Sequence, residues 1–160
     1  FSLRVMDFLA LGVGAFGGAV CRYKISQWAG EYFAAVVPKR ATAAATTTTT
    51  NTTTNAQTRL VPPSSSWIGW HTAGINILGS FLLGGLSQVP NPLLSPRSHL
   101  MLGVGFCGSF TTFSTYSVDV VQWMMNGQTS MAMRYVLINN VGSIGAAAVG
   151  MSLVKRCLKS

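Results

Sequence analysis

The chain has almost no acid. Among 160 residues there are only three carboxylates, Asp7, Glu31 and Asp119, and all charged residues together make up 9%. A soluble domain carries about a quarter charged residues, so this one would be starved of solvating charge. Three scattered carboxylates cannot pair for acid–base work, and no cofactor motif replaces them, so no enzyme is expected. The cysteines, Cys21, Cys107 and Cys157, lack any close pair, which excludes a disulfide framework and a zinc site. His71 and His99 have no metal-ligand spacing either. Eleven Lys and Arg give a net charge of +8, yet they are dispersed rather than gathered on one face, and no nucleic acid is expected as a partner.

What is abundant is apolar surface, 49% of the residues. Four segments poor in charge stand out. They cover 5–21, closed by Arg22, Tyr23 and Lys24; 67–89, with no charged residue; 98–125, interrupted only by Asp119; and 131–154, followed by Lys155, Arg156 and Lys159. Segments near 20 residues match the thickness of a bilayer. The expected fold is an all-α membrane protein, one multi-pass domain over 1–160 with four transmembrane helices in the lipid bilayer. Arg22 must then snorkel, face protein, or lie beyond the hydrocarbon.

Residues 38–66 read as a Thr/Ala-rich low-complexity loop between helices 1 and 2, with no periodicity and nothing to bury. Small-residue stripes at Gly14-x-x-x-Gly18, Ser80-x-x-x-Gly84 and Gly142-x-x-x-Ala146-x-x-x-Gly150 predict closely packed helices. With four spans, one side holds Arg4, Arg97, Lys155, Arg156 and Lys159, and the other Arg22, Lys24, Lys39, Arg40, Arg59 and Arg134. Five against six assigns no orientation by the positive-inside rule. A protein inserted both ways round would show that balance.

The polar groups inside the spans carry the chemistry. Residues 108–117 hold six Ser or Thr hydroxyls interleaved with aromatics, and Gly108 at the head of the run predicts a break across 108–112 in the third helix. Unwound backbone at that depth can present carbonyls to a cation. Asn76 is the one strongly polar side chain near the middle of the second segment, serving either as interhelical glue or as part of a polar path. Tyr135, Asn139 and Ser143 recur every four residues, which puts them on one helix face, whereas the adjacent Asn140 points elsewhere. All are donors without fixed charge. An anion in hydrocarbon faces a cost of roughly 3 to more than 10 kcal/mol. Hydrogen bonds to a charge return about 1.5–3 kcal/mol each, and the edges of Phe113 and Tyr116 add positive potential. A permanent cation would hold the anion too tightly to release it.

These motifs resemble the fluoride channel family (Fluc, or CrcB; the fluoride exporters of eukaryotes). The resemblance rests on residues 17–23 (GGAVCRY), 72–81 (TAGINILGSF) and 105–117 (GFCGSFTTFSTYS), in that order along the chain. It implies a four-helix subunit with the third helix broken mid-span, working as an antiparallel, dual-topology dimer or fused to a homologous second domain. It also implies passive fluoride export across the plasma membrane, lowering cytoplasmic fluoride. By motif, the fluoride pathway would comprise Asn76, Phe113, Tyr116, Tyr135, Asn139 and Ser143, with hydroxyl contacts from Ser114 and Thr115. The backbone carbonyls of Gly108 and Thr111 would hold a structural sodium ion at the dimer interface. Tyr116 stands where the family usually has a second phenylalanine, and Asn139 where serine is common. The Thr-rich insertion and the start at Phe1 point to a half of a tandem exporter, which leaves a non-conducting structural half as one alternative. A small proton-coupled carrier is the other, with Asp119 as its only candidate acid.

Overall fold

The computed structural model describes residues 5–36 and 69–159. The expected loop at 38–66 lies outside the described residues. Among the described residues every regular element is helical: α1 Val5–Val36, α2 Trp70–Leu86, α3 Pro96–His99, a π-helical stretch Leu100–Cys107, α4 Gly108–Phe110, α5 Phe113–Met125 and α6 Thr129–Cys157. The elements from α3 to α5 together form the third segment. Among the described residues two helices are long and apolar enough to cross a membrane, Val5–Tyr32 and Thr129–Cys157.

Local chemistry sets the ends. Ser95 caps α3, accepting from the Ser98 N–H at 3.2 Å, and Pro96 fills the first helical position, where no N–H is needed. Gly127, at φ 72°, supplies the left-handed turn between α5 and α6. The first helix does not stop at Cys21 as its hydropathy predicts; it continues to Val36 through Arg22 and Lys24. Charge ends a hydrophobic run without ending a helix, because Arg and Lys are good helix formers.

Parallel pairs build the bundle. α1 packs along the third segment, with Gly14 against Met101, Gly18 against Phe106, and Arg22 reaching Thr111, so the residue numbers rise together. α2 packs along α6 in the same sense, with Asn76 at Asn139, Gly84 at Ala147 and Gly85 near Val154. The pairs oppose one another, since Gly103 meets Leu83 and Leu86 while Phe110 meets Gly79. A Cβ on Gly14, Gly18, Gly84 or Gly150 would strike neighbouring backbone. These glycines belong to the expected stripes, and they let helix axes approach closely where lipid offers no hydrophobic drive.

The inside is small and aromatic. Ala73, Tyr116, Trp123, Ala132 and Tyr135 form the buried cluster, flanked by Trp70, Val120, Met131 and Val136. The outside is apolar as well, with Val13, Phe16, Leu137, Ile144 and many similar side chains exposed. An outer surface of that kind suits hydrocarbon rather than water.

Candidate functional site: a polar groove beside the broken helix

The third segment breaks at Thr111–Thr112. Gly108 stays helical (φ −64°, ψ −34°), whereas Thr111 (φ −77°, ψ 157°) and Thr112 (φ −147°, ψ 117°) are extended. The sequence placed the start of the break at Gly108. The conformational freedom of glycine permits a break but does not impose one, and a different residue imposes it here. Asn76 Oδ1 accepts the Thr112 N–H at 2.8 Å, and Asn76 Nδ2 donates to the Thr112 carbonyl at 3.1 Å. In an unbroken helix the Thr112 N–H would close on the Gly108 carbonyl. The amide of Asn76 takes its place. Thr112 then restarts the chain as the cap of α5, its Oγ1 accepting from the Thr115 N–H at 3.3 Å. Thr111 hangs on the preceding turn, its N–H and Oγ1 both donating to the Cys107 carbonyl at 3.0 Å.

A groove of about 270 Å³ opens beside the break, between α2, α5 and α6. Asn76, Thr111 and Thr112 line its floor, Phe113 and Tyr116 one wall, and Asn139, Asn140 and Ser143 the other. The amide of Asn76 is fully occupied, because Nδ2 also donates to Asn139 Oδ1 at 3.3 Å. Asn139 is 5% exposed, and its Nδ2, like Ser143 Oγ, is buried without a hydrogen-bond partner among the described residues. A buried donor left unpaired costs about 1–3 kcal/mol, so both atoms are set for a ligand that accepts. Phe113 is 76% exposed at the groove mouth, its ring 5.5 Å from that of Tyr116.

Of the residues singled out in the sequence, Asn76, Thr111, Phe113, Tyr116, Asn139 and Ser143 meet at this groove. Ser114 and Thr115 are exposed and do not line it; the Thr115 hydroxyl and N–H pair with Thr112. Tyr135 is fully buried and turned to another task, donating to Asp119 Oδ2 at 3.0 Å and stacking edgewise on Trp70 and Trp123. The four-residue stripe is therefore continuous on α6 but splits between an aromatic cluster and the groove. Two residues escaped sequence reasoning: Thr112, which receives Asn76, and Asn140, which reaches Tyr116 Oη at 2.9 Å. Asn140 does not point elsewhere, as its position next to Asn139 had implied. Its polarity within an apolar span was the available signal.

Arg22 faces protein, with Nη1 3.4 Å from the Thr111 carbonyl. The carboxyl end of α4 thus meets a positive charge, which favours the exposed ends of its carbonyls. Gly108 is exposed with open space around it, and the break has taken away its carbonyl's helical donor.

Comparison with known proteins places the chain. The family model described as CrcB-like protein, camphor resistance (CrcB), matches residues 9–151. A protein from Chlorobaculum tepidum named fluoride-specific ion channel FluC is 30% identical over 151 residues, covering 93% of this chain and 94% of the relative. A fluoride-specific ion channel FluC 1 from Desulfitobacterium hafniense is 41% identical over 93 residues, or 57% of this chain and 82% of that one. The FluC of Leptospira interrogans is 39% identical over 88 residues, covering 54% and 69%. With its apolar helices, its close glycine contacts and a match running from the first helix into the last, the chain is a membrane protein and belongs to the CrcB family.

Proposed function

We propose that this chain forms a fluoride-selective channel, its relatives being named fluoride-specific ion channels, and that it lets fluoride leave the cytoplasm passively across the plasma membrane. One observation carries the reading: in an uncharged groove among apolar helices, Asn139 Nδ2 and Ser143 Oγ stand buried and unpartnered beside an aromatic pair. Two or three donors at about 1.5–3 kcal/mol each offset much of the cost of a small anion in hydrocarbon. Among the described residues no Lys or Arg lines the groove, which keeps the anion from being held too long.

The working unit is an antiparallel pair of such domains, from two copies or from one fused chain. The groove supports this reading, since Phe113 in its wall is largely exposed and leaves its mouth open. A sodium ion at the pair's centre would take the carbonyls of Gly108 and Thr111. Carbonyl oxygens suit a hard cation, and the break has released that of Gly108. The Thr111 carbonyl already accepts from Arg22 Nη1 at 3.4 Å and is open to the ion only once Arg22 turns away. Two oxygens alone do not complete a coordination shell. The second domain must supply the rest. Such an ion would contribute structure, cross-linking two broken helices, while the anion meets only this chain's donors.

The test is efflux from liposomes. Purified protein in vesicles loaded with fluoride should release it rapidly, while chloride-loaded vesicles hold their content. Release of both anions, or of neither, would overturn the reading.

A further inference from the structure

The hydroxyl of Tyr116 is oriented by the neighbouring helix. Asn140 Nδ2 lies 2.9 Å from Tyr116 Oη and 2.8 Å from the Val136 carbonyl, one turn back on α6. The carbonyl can only accept, so the atom facing it must be the amide nitrogen. Exchanging the oxygen and nitrogen of Asn140 would press two acceptors together. The same nitrogen faces Tyr116, and Tyr116 Oη must therefore accept. Its own proton is left over, and among the described residues nothing takes it. Tyr116 and Asn140 both line the groove that holds the unpartnered Asn139 Nδ2 and Ser143 Oγ.

We infer that Tyr116 Oη is a third donor to the anion in this groove and that Asn140 is the residue that positions it. The inference rests on the channel reading and adds a specificity element to it. A phenol that already accepts a hydrogen bond is the stronger donor, since bonds in a chain polarise one another. A bare ring at this position would offer a passing anion only its weakly positive edge. The hydroxyl offers a directed O–H, which favours a small, strongly accepting anion over a larger one.

Two measurements test it. The first is fluoride efflux from liposomes for the unaltered chain, Asn140→Leu, Tyr116→Phe and the double variant. Loss of one donor to a charge should slow efflux at low fluoride about tenfold in Tyr116→Phe, with a similar loss in Asn140→Leu. Asn140→Leu should then change nothing further, within twofold, once Tyr116→Phe is present. Equal effects of Asn140→Leu in both backgrounds would overturn the coupling and leave Asn140 a packing residue. The second is tyrosine difference absorption of purified protein on adding sodium fluoride, with sodium chloride as control. A fluoride-specific change lost in Tyr116→Phe is expected. That change without efflux would sink the channel reading and keep the donor; efflux without the change or the coupling would do the reverse; the absence of both would end both.

Discussion

Asn76 and Thr112 hold each other by two hydrogen bonds, the Thr112 N–H to Oδ1 at 2.8 Å and Nδ2 to the Thr112 carbonyl at 3.1 Å. One side chain thereby satisfies both backbone groups of a residue that has left its helix. In hydrocarbon those groups have no water to turn to, so the break exists only while Asn76 supplies the bonds. The amide has two roles among the polar groups of the groove, fixing the break and, through Asn139 Oδ1, leaving Asn139 Nδ2 free for a ligand.

Replacing Asn76 should therefore damage fold and flux together. Asn76→Leu leaves the Thr112 N–H and carbonyl unpaired, at about 1–3 kcal/mol each, and Asn76→Asp keeps the acceptor but sets a carboxylate against the Thr112 carbonyl. Both variants should melt at lower temperature in detergent and lose fluoride efflux. An unaltered melting temperature with lost efflux would show that Asn76 acts on the anion and is dispensable for the break.

The close helix pairs predict a contrast between glycines. A Cβ on Gly84 would strike the Ala147 backbone, and one on Gly150 the Phe81 carbonyl, whereas Gly30 has open space. Backbone cannot swing aside as a side chain can, so Gly84→Ala and Gly150→Ala should each destabilise by about 1–3 kcal/mol. Gly30→Ala should be neutral or slightly stabilising, because alanine is the better helix former. Thermal unfolding of the three variants in one detergent checks the order. A Gly84→Ala protein as stable as Gly30→Ala would mean that α2 and α6 sit further apart.

Asp119 separates a channel from a proton-coupled carrier. Its carboxylate accepts from Tyr135 Oη at 3.0 Å within the aromatic cluster, and it does not line the groove. Asp119→Asn keeps an acceptor there and loses the charge, a change of about 1 kcal/mol from the difference between charged and neutral hydrogen bonds. Fluoride efflux should persist in Asp119→Asn and should follow the fluoride gradient whether or not a proton gradient is imposed. Efflux that vanishes in this variant while the protein remains folded would favour the carrier.

How much of this was written in the sequence differs by level. Helix existence and the close-packing glycines were legible, since charge scarcity and four-residue spacing act locally and bilayer thickness fixes the scale. The groove's members were legible as polar residues out of place in apolar spans. Their partners were not. That Asn76 meets Thr112 depends on how α2 lies against the third segment, a contact across 36 residues of chain. Tyr135 shares a helical stripe with Asn139 and Ser143, yet the packing of Trp70 and Trp123 claims it for the cluster. Spacing assigns a residue to a face of its own helix, and only the neighbouring helix decides what that face meets. The displaced break teaches the same lesson, because Gly108 is permissive and Asn76 is what acts.

Phe113 offers the cleanest separation of stability from transport. Its ring is 76% exposed, so the fold gains little from it, and truncation should cost less than about 1 kcal/mol. Its edge nevertheless belongs to the groove wall and stands 5.5 Å from the ring of Tyr116. An aromatic edge carries partial positive charge, which an aliphatic side chain of equal bulk lacks. Phe113→Ile keeps an apolar side chain there and removes that edge. The variant should unfold at nearly the original temperature while fluoride efflux falls about tenfold, the equivalent of about 1.4 kcal/mol of lost anion stabilisation. Efflux from liposomes beside a melting curve in detergent gives both numbers from one preparation. If Phe113→Ile conducts fluoride as fast as the unaltered chain, the ring is a lipid-facing side chain near the groove and the anion's path runs along α6 alone.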